Sequence, residues 1–311
     1  MLIYKIKNIN NKTCVILHFG IGLVGKAIKN SIIRLAKPDT VCDVPFLWNK
    51  QEEALQQLEV ILKKAEGLIG NTSVNIYIVW SAGQCGFSAS AEETEKEKLF
   101  FYAIANELNT YAQTINHKVY FYLMSSAGGL YENQNYVDTN SQPAPQRPYG
   151  FLKLEQENYI RTQKALHVKI FRISSVYSKY LPDGRMGLIT VMMNNCIKHK
   201  ISTIFGSANT LRDYILDEDI GIYIAQCILT QADIKNIQFL IAGHPSSILE
   251  IKKYIELISK KKSYVNYTIL KSNALNICFS PNLVPQKFHP SSLYLNLQLL
   301  YLNILSNTKS N

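Results

Sequence analysis

No stretch of this sequence stays apolar for the ~18–20 residues that crossing a bilayer demands, so no transmembrane helix is expected. The opening Met1-Leu2-Ile3-Tyr4-Lys5 has no long apolar segment behind it, which argues against a signal peptide. Cysteine is sparse and scattered: Cys14, Cys42, Cys85, Cys196, Cys227 and Cys278 form no C-x-x-C pair. That pattern argues against a zinc site and a disulfide framework, and fits a reducing cytoplasm. No cluster of His, Cys, Asp or Glu has metal-ligand spacing, and no metal is expected. With 10 prolines and 15 glycines in 311 residues, low complexity is absent, and there is no internal repeat. The formal charge is +10, but the cations are not gathered into a stripe, and the densest run is only Lys260-Lys261-Lys262. Nucleic acid is therefore not an expected partner. A mildly basic surface would instead attract a diphosphate.

What is present is an ordinary globular composition, 47% hydrophobic and 18% charged, and enough chain for one large or two modest domains. Apolar runs alternate with helical patterns through the first half. Strands are expected at Thr13 to Phe19, Thr40 to Val44, Val74 to Trp80, Val119 to Met124 and Val168 to Ile173. Helices are expected from Gln51 to about Glu66, from Ala91 to Ile115, and after Pro148. That alternation predicts an α/β fold with a Rossmann-type, doubly wound parallel sheet. Past Tyr177 the regularity breaks. Leu181 to Arg185 reads as a turn, Met186 to His199 as a helix, Ile201 to Phe205 and Gln238 to Ala242 as strands, and Ile248 to Ser259 as a helix. The expectation is a dinucleotide-binding domain over 1–177, rejoined by about 214–243, with a smaller mixed α/β substrate lobe within 178–311.

Several groups suggest chemistry. Gly20-Ile21-Gly22-Leu23-Val24-Gly25 follows a strand and opens a helix. Gly20 and Gly22 would let backbone N–H groups approach a pyrophosphate, and Gly25 would let the helix pack on the sheet. The alternative is a structural turn that binds no nucleotide. Asp43, about twenty residues on, is positioned by sequence to accept from a ribose 2′-hydroxyl, favouring NAD over NADP, or to be an exposed turn residue. Ser81 and Ala82 open the loop after the third strand, where a cofactor would lie. Ser126, at the end of a strand, would face the ligand crevice. Tyr149 and Lys153 stand four apart, on one helix face. A free phenol titrates near ~10 and a neighbouring ammonium favours its phenolate, so such a pair suits proton transfer. Arg212, ahead of the acidic helix start at Asp217 to Asp219, would clamp a phosphate bidentately or form a capping ion pair.

In this order the segments resemble the extended short-chain dehydrogenases/reductases of the NAD-dependent epimerase/dehydratase family, which act on nucleotide sugars. The resemblance rests on the glycine turn, on Ser125-Ser126-Ala127-Gly128-Gly129-Leu130-Tyr131, and above all on Pro148-Tyr149-Gly150-x-x-Lys153-x-x-x-Glu157. Phe171-Arg172, Arg212-Asp213-Tyr214-Ile215, Phe239 to Gly243 and Ser247 to Glu250 extend it through nearly the whole chain. It implies Tyr149 as general acid/base, Lys153 on the nicotinamide ribose, Ser126 on the reacting oxygen, and Arg212 on the nucleotide diphosphate. It also implies NAD or NADP as cofactor, a cytoplasmic homodimer formed through the helices near 91–115 and 149–165, and a place in surface-polysaccharide sugar synthesis. The chain departs from the family's pattern at four places. Phe19 replaces the usual first glycine, and Ser175 an asparagine that contacts substrate. The third-strand region is abbreviated, and Ala127-Gly128 stand where dehydratases carry Asp-Glu. Epimerase or 4-ketoreductase is therefore the expected activity, with a non-catalytic dinucleotide sensor as the alternative.

Overall fold

A computed structural model describes residues 1–69, 74–181, 186–268 and 276–309. The first half runs β1 (Leu2–Lys7), β2 (Thr13–Phe19), α1 (Leu23–Ala36), β3 (Thr40–Asp43), α2 (Gln51–Ile69), β4 (Asn75–Trp80) and α3 (Ala91–Thr114). There follow β5 (Lys118–Ser126), α4 (Ala127–Leu130), α5 (Pro148–Thr162), β6 (Leu166–Ile173), β7 (Ser175–Tyr177) and α6 (Leu188–Ile197). The remainder is β8 (Ser202–Phe205), β9 (Leu211–Arg212), β10 (Tyr214–Leu216), α7 (Asp217–Thr230), β11 (Ile237–Leu240), β12 (Ser246–Ser247), α8 (Ile248–Ser259), β13 (Val265–Thr268) and α9 (Leu293–Lys309). The turn expected at Leu181 to Arg185 falls mostly on 182–185, outside the described residues.

Seven strands form the main sheet, in the order β11-β6-β5-β4-β2-β1-β3. β2, β4 and β5 pair in parallel. All but the first residue of β2 and of β4 are buried, as strands covered on both faces require. The sheet is a mostly parallel, Rossmann-type α/β sheet with one strand beyond those expected from the sequence. β1 runs antiparallel to both β2 and β3 and lies between them. Its turn is built by Asn8, whose Oδ1 accepts from the backbone N–H of Asn10 (3.0 Å) and Lys12 (2.8 Å), with Asn11 at φ 57°. The sequence pattern puts Asp43 on the strand beside the glycine turn. It stands two strands from β2 instead, opposite Leu2, which is itself opposite His18. At ~4.8 Å per strand that places it about 10 Å away across the sheet.

Two compact units emerge. The first comprises 1–130, 145–172 and 221–238; the second comprises 131–144, 173–220 and 239–311. In the first, Leu17, Ile76, Ile78 and Phe121 of the sheet are buried with Leu58 and Ile61 of α2 and Phe101 and Ile104 of α3. The capping box of Ser90 and Glu93 starts α3 immediately after the β4 loop. In the second unit Met192 and Met193 of α6, Ile251 and Ile255 of α8, and Leu297, Leu300 and Ile304 of α9 form their own core.

Candidate active site

The glycine turn between β2 and α1 is shaped by its neighbour strand. Gly20 has φ +85°, and a Cβ there would lie 2.4 Å from the backbone N of Ala82. Ser81 Oγ donates to the carbonyls of Gly20 (2.5 Å) and Phe19 (3.1 Å), so its hydroxyl and the backbone of Ala82 hold the turn in place. Behind them, His18 Nε2 lies 3.0 Å from Ser81 Oγ. Burial holds His18 neutral, its pKa pushed down to about 3. A Cβ on Gly25 would come within 2.1 Å of Gly20 O, whereas one on Gly22 would meet nothing within 4 Å. Gly22 is the N-cap of α1, makes no side-chain cap bond, and is followed by no acidic residue in the first turn. Uncapped N–H groups beside open space fit a pyrophosphate, so these residues suit a dinucleotide.

At the C-terminal end of β5, the short helix α4 and the start of α5 bring Ser126, Tyr149 and Lys153 together. Gly150 packs so closely that a Cβ would lie 2.2 Å from Gly129 O. A Cβ on Gly129 would fall 3.0 Å from Tyr149 Cε1 and 3.3 Å from Ser126 Oγ. The serine hydroxyl and the tyrosine ring thus flank the same glycine, and Ser126 Oγ accepts from Gly129 N–H at 3.0 Å. Tyr149 is half-buried, with Phe87 at 5.4 Å between ring centroids. Lys153 is buried, its Nζ 5.8 Å from the Tyr149 ring centroid and 3.0 Å from Gln156 Oε1.

Two carboxylates to which the sequence pattern assigns no role fix this group. Glu157 is fully buried and accepts from Ser125 Oγ (2.6 Å), from Arg172 Nη2 (2.7 Å) and from Arg161 Nη2 (3.1 Å). It ties α5 to β5 and β6, which gives the last residue of the Tyr149 motif and the Phe171-Arg172 pair one structural purpose. Glu97 of α3 accepts from the backbone N–H of Gln84 (2.8 Å) and Cys85 (2.9 Å) through Oε2, and its Oε1 lies 3.9 Å from Lys153 Nζ. The helical period held a signal for Glu97: it falls on the stripe of Thr94, Phe101, Ile104 and Leu108 that α3 buries.

The second unit holds Ser175 and Arg212 close in the fold. Ser175 on β7 donates its backbone N–H to Asp213 O, and Arg212 ends β9, where it pairs with Ser246. Arg212 is half-buried and donates from Nη1 to Leu211 O at 2.9 Å. Asp213 accepts from Ser174 Oγ (2.6 Å), Ala242 N–H (2.8 Å) and Gly243 N–H (2.7 Å), while burial pushes its pKa up. The Arg212-Asp213-Tyr214 and Ala242-Gly243 segments are therefore parts of one buried hydrogen-bonded set. Among the described residues no group of His, Cys, Asp and Glu is arranged to hold a metal.

Residues 56–241, more than half of the chain, match the sequence profile described as "NAD dependent epimerase/dehydratase family". The chain belongs to this family. The epimerase/dehydratase relationship extends to "Putative UDP-glucose 4-epimerase" of Methanocaldococcus jannaschii, 34% identical over 103 residues. That match takes in 31% of this chain and 34% of the relative, so the chain spans about a third of the length of the curated relative it matches. Among solved structures, the UDP-glucose 4-epimerase of Thermus thermophilus in complex with NAD has a TM-score of 0.74 at 16% identity, covering 93% of this chain and 98% of that one. Bacillus cereus UDP-glucuronic acid 4-epimerase, in complex with UDP-glucuronic acid and NAD, has a TM-score of 0.72 at 18% identity, covering 94% and 99%. These likenesses establish the epimerase-family fold over nearly the full chain.

Proposed function

We propose that the protein is an NAD-dependent epimerase of a nucleotide-diphosphate sugar, with the uridine diphosphate sugars for which its structural neighbours are named as the first substrates to try. The observation that carries this reading is the meeting of Ser126 and Tyr149 at Gly129, with Lys153 Nζ 5.8 Å from the Tyr149 ring centroid, all in the first unit. Tyr149 Oη takes the proton of a sugar hydroxyl and returns it to the ketone. Ser126 holds the reacting oxygen, and the Lys153 ammonium holds the cofactor's ribose. The chemistry that NAD would supply here is reversible hydride transfer at the sugar carbon. The glycine turn and the N-terminus of α1 are the groups we assign to its pyrophosphate. Arg212 and Ser175, in the second unit, are those we assign to the sugar nucleotide.

Ala127 and Gly128 supply no carboxylate at the positions where elimination of water would need one, which favours epimerisation or 4-keto reduction over dehydration. The altered glycine turn, with Phe19 in place of the usual first glycine, and the abbreviated third-strand region motivate a second reading, a non-catalytic dinucleotide sensor. Against it stands the intact Ser126, Tyr149 and Lys153 group, since a sensor needs no proton donor. We also assign a homodimer to the first unit: α3 leaves Leu99 and α5 leaves Phe151 more than half exposed.

The test is native mass spectrometry of freshly purified protein, followed by incubation with UDP-hexoses without added reductant. A retained NAD and interconversion of two epimers are expected. Tyr149→Phe should lower kcat/KM by about 10²–10⁴-fold while leaving NAD bound. Turnover that consumes NADH stoichiometrically would make the protein a reductase. Tight dinucleotide binding with no sugar-nucleotide binding would make it a sensor.

A further inference from the structure

The feature that the proposed reaction leaves without a role is the carboxylate facing its lysine. Lys153 Nζ has hydrogen-bonded Gln156 on one side and, at 3.9 Å, Glu97 Oε1 on another. Oε1 is buried and makes no hydrogen bond of its own, while Oε2 of the same carboxylate accepts two backbone N–H groups, from Gln84 and Cys85. A carboxyl oxygen out of water, with no donor and an ammonium this close, is there for charge. The backbone between them is shaped to allow the approach. Gly83 has φ +154°, and a Cβ there would lie 2.9 Å from Glu97 Oε1 and 3.6 Å from Lys153 Nζ. The neighbouring thiol registers the same field: burial first, then the Glu97 charge, push Cys85 up to about 12.

We propose that Glu97 is a positioning residue that acts through Lys153: its carboxylate is the counter-charge of that ammonium, and the same side chain anchors the loop following β4, so that the site does not penalise the cationic, oxidised nicotinamide relative to the neutral, reduced one. The inference rests on the cofactor reading given above. Its physical basis is that Lys153 alone would oppose a second positive charge brought into the site. With Glu97 beside it the pair is neutral, and the oxidised cofactor enters without that repulsion. An enzyme that must end each turnover with NAD⁺ in place gains from the removal of that repulsion.

Substitution can separate the charge from the anchor. In Glu97→Gln the remaining carbonyl oxygen can still accept from Gln84 and Cys85, while an NH₂ group replaces the charged oxygen that faces Lys153. In Glu97→Ala both functions are lost. The experiment is calorimetric titration with NAD⁺ and separately with NADH, after exchange of any retained dinucleotide, on wild type, Glu97→Gln, Glu97→Asp and the double variant Glu97→Gln/Lys153→Met. For Glu97→Gln the ratio Kd(NAD⁺)/Kd(NADH) is expected to rise about tenfold, a change that loosening of the loop would not produce because both forms would then weaken together. Glu97→Asp, which keeps the charge, should recover most of the wild-type ratio. The double variant restores neutrality and should return it also, and it reports the same coupling if Glu97→Gln alone leaves an unpaired ammonium that unfolds the site. A ratio unchanged in Glu97→Gln, or one that the double variant fails to restore, overturns the role of Glu97 and leaves the cofactor reading intact. A wild type that binds neither dinucleotide overturns both.

Discussion

Glycines of one short turn do different jobs, and the space around each says which. Gly25 is held by the protein itself, since a Cβ would press within 2.1 Å of Gly20 O. Gly25→Ala is expected to cost about 1–3 kcal/mol in thermal or urea unfolding, as overpacked sites do. Gly22 has φ −77° and nothing within 4 Å of a Cβ, so Gly22→Ala should cost only the roughly 0.5–1 kcal/mol by which alanine is a poorer N-cap than glycine. Its NAD affinity should nevertheless fall about tenfold in titration, because this is the open space we assign to the pyrophosphate. His18 behind the turn makes a second prediction. Its pKa is about 3 in the fold, with burial as the main cause, against 6.5 ordinarily. Between those values the unfolded chain takes up a proton that the folded chain refuses. The stability it supports is therefore complete above about pH 6.5 and is lost as pH falls toward 3. Unfolding measured at pH 7 and pH 4.5 should show that loss in wild type, and a smaller one in His18→Gln. The division of labour among the glycines was legible in the sequence, but the place of His18 was not: it is one of six histidines there, and only the sheet reveals that it backs Ser81.

At the scale of elements, α5 carries Tyr149 and Lys153, to which we assign the chemistry, and it is tied to the sheet by one buried carboxylate. Glu157 is bonded to β5 through Ser125, to β6 through Arg172, and along α5 to Arg161. Removing one partner leaves a buried charge uncompensated, which costs about 3–5 kcal/mol. Glu157→Gln should lose stability of that order in denaturant unfolding and lower turnover as well, because Tyr149 and Lys153 ride on the same helix. Glu157→Gln/Arg172→Leu should lose less than the sum of the single changes. Elements with a clear period were legible from residues alone. β2, β4 and β5 read as buried strands, and α3 as a long helix. β1 escapes such a reading because its role appears only in pairing: Leu2 to Ile6 is a short, mostly buried run whose two neighbours, β2 and β3, are a hairpin turn and a whole helix away. α9 escapes it too. Leu293-Tyr-Leu-Asn-Leu-Gln-Leu-Leu alternates as a strand would, yet Leu297, Leu300 and Ile304 are buried while Leu295, Leu299 and Leu302 are exposed, a helical spacing imposed by packing on α6 and α8.

At the scale of the whole molecule, the proposed homodimer makes a simple prediction. Leu99 and Phe151 are exposed on α3 and α5, two helices also joined by the stacked rings of Tyr102 and Tyr159 at 3.8 Å. If a second copy covers this face, Leu99→Glu and Phe151→Glu should convert a dimer to a monomer in sedimentation, with unfolding free energy of the monomer little changed. A wild type that sediments as a monomer removes the dimer assignment. The sequence by itself determined the α/β order of the first half and the family, and it singled out Ser126, Tyr149 and Lys153 as candidates, because these follow from local period, from a strand end and from fixed spacing along one helix. Only the tertiary structure decided that β1 enters between β2 and β3 and moves Asp43 a strand outward, since strand order is a matter of pairing between distant segments. It alone also brought Glu97 to Lys153, because a contact between residues 97 and 153 depends on how two helices pack, which no spacing within either helix records.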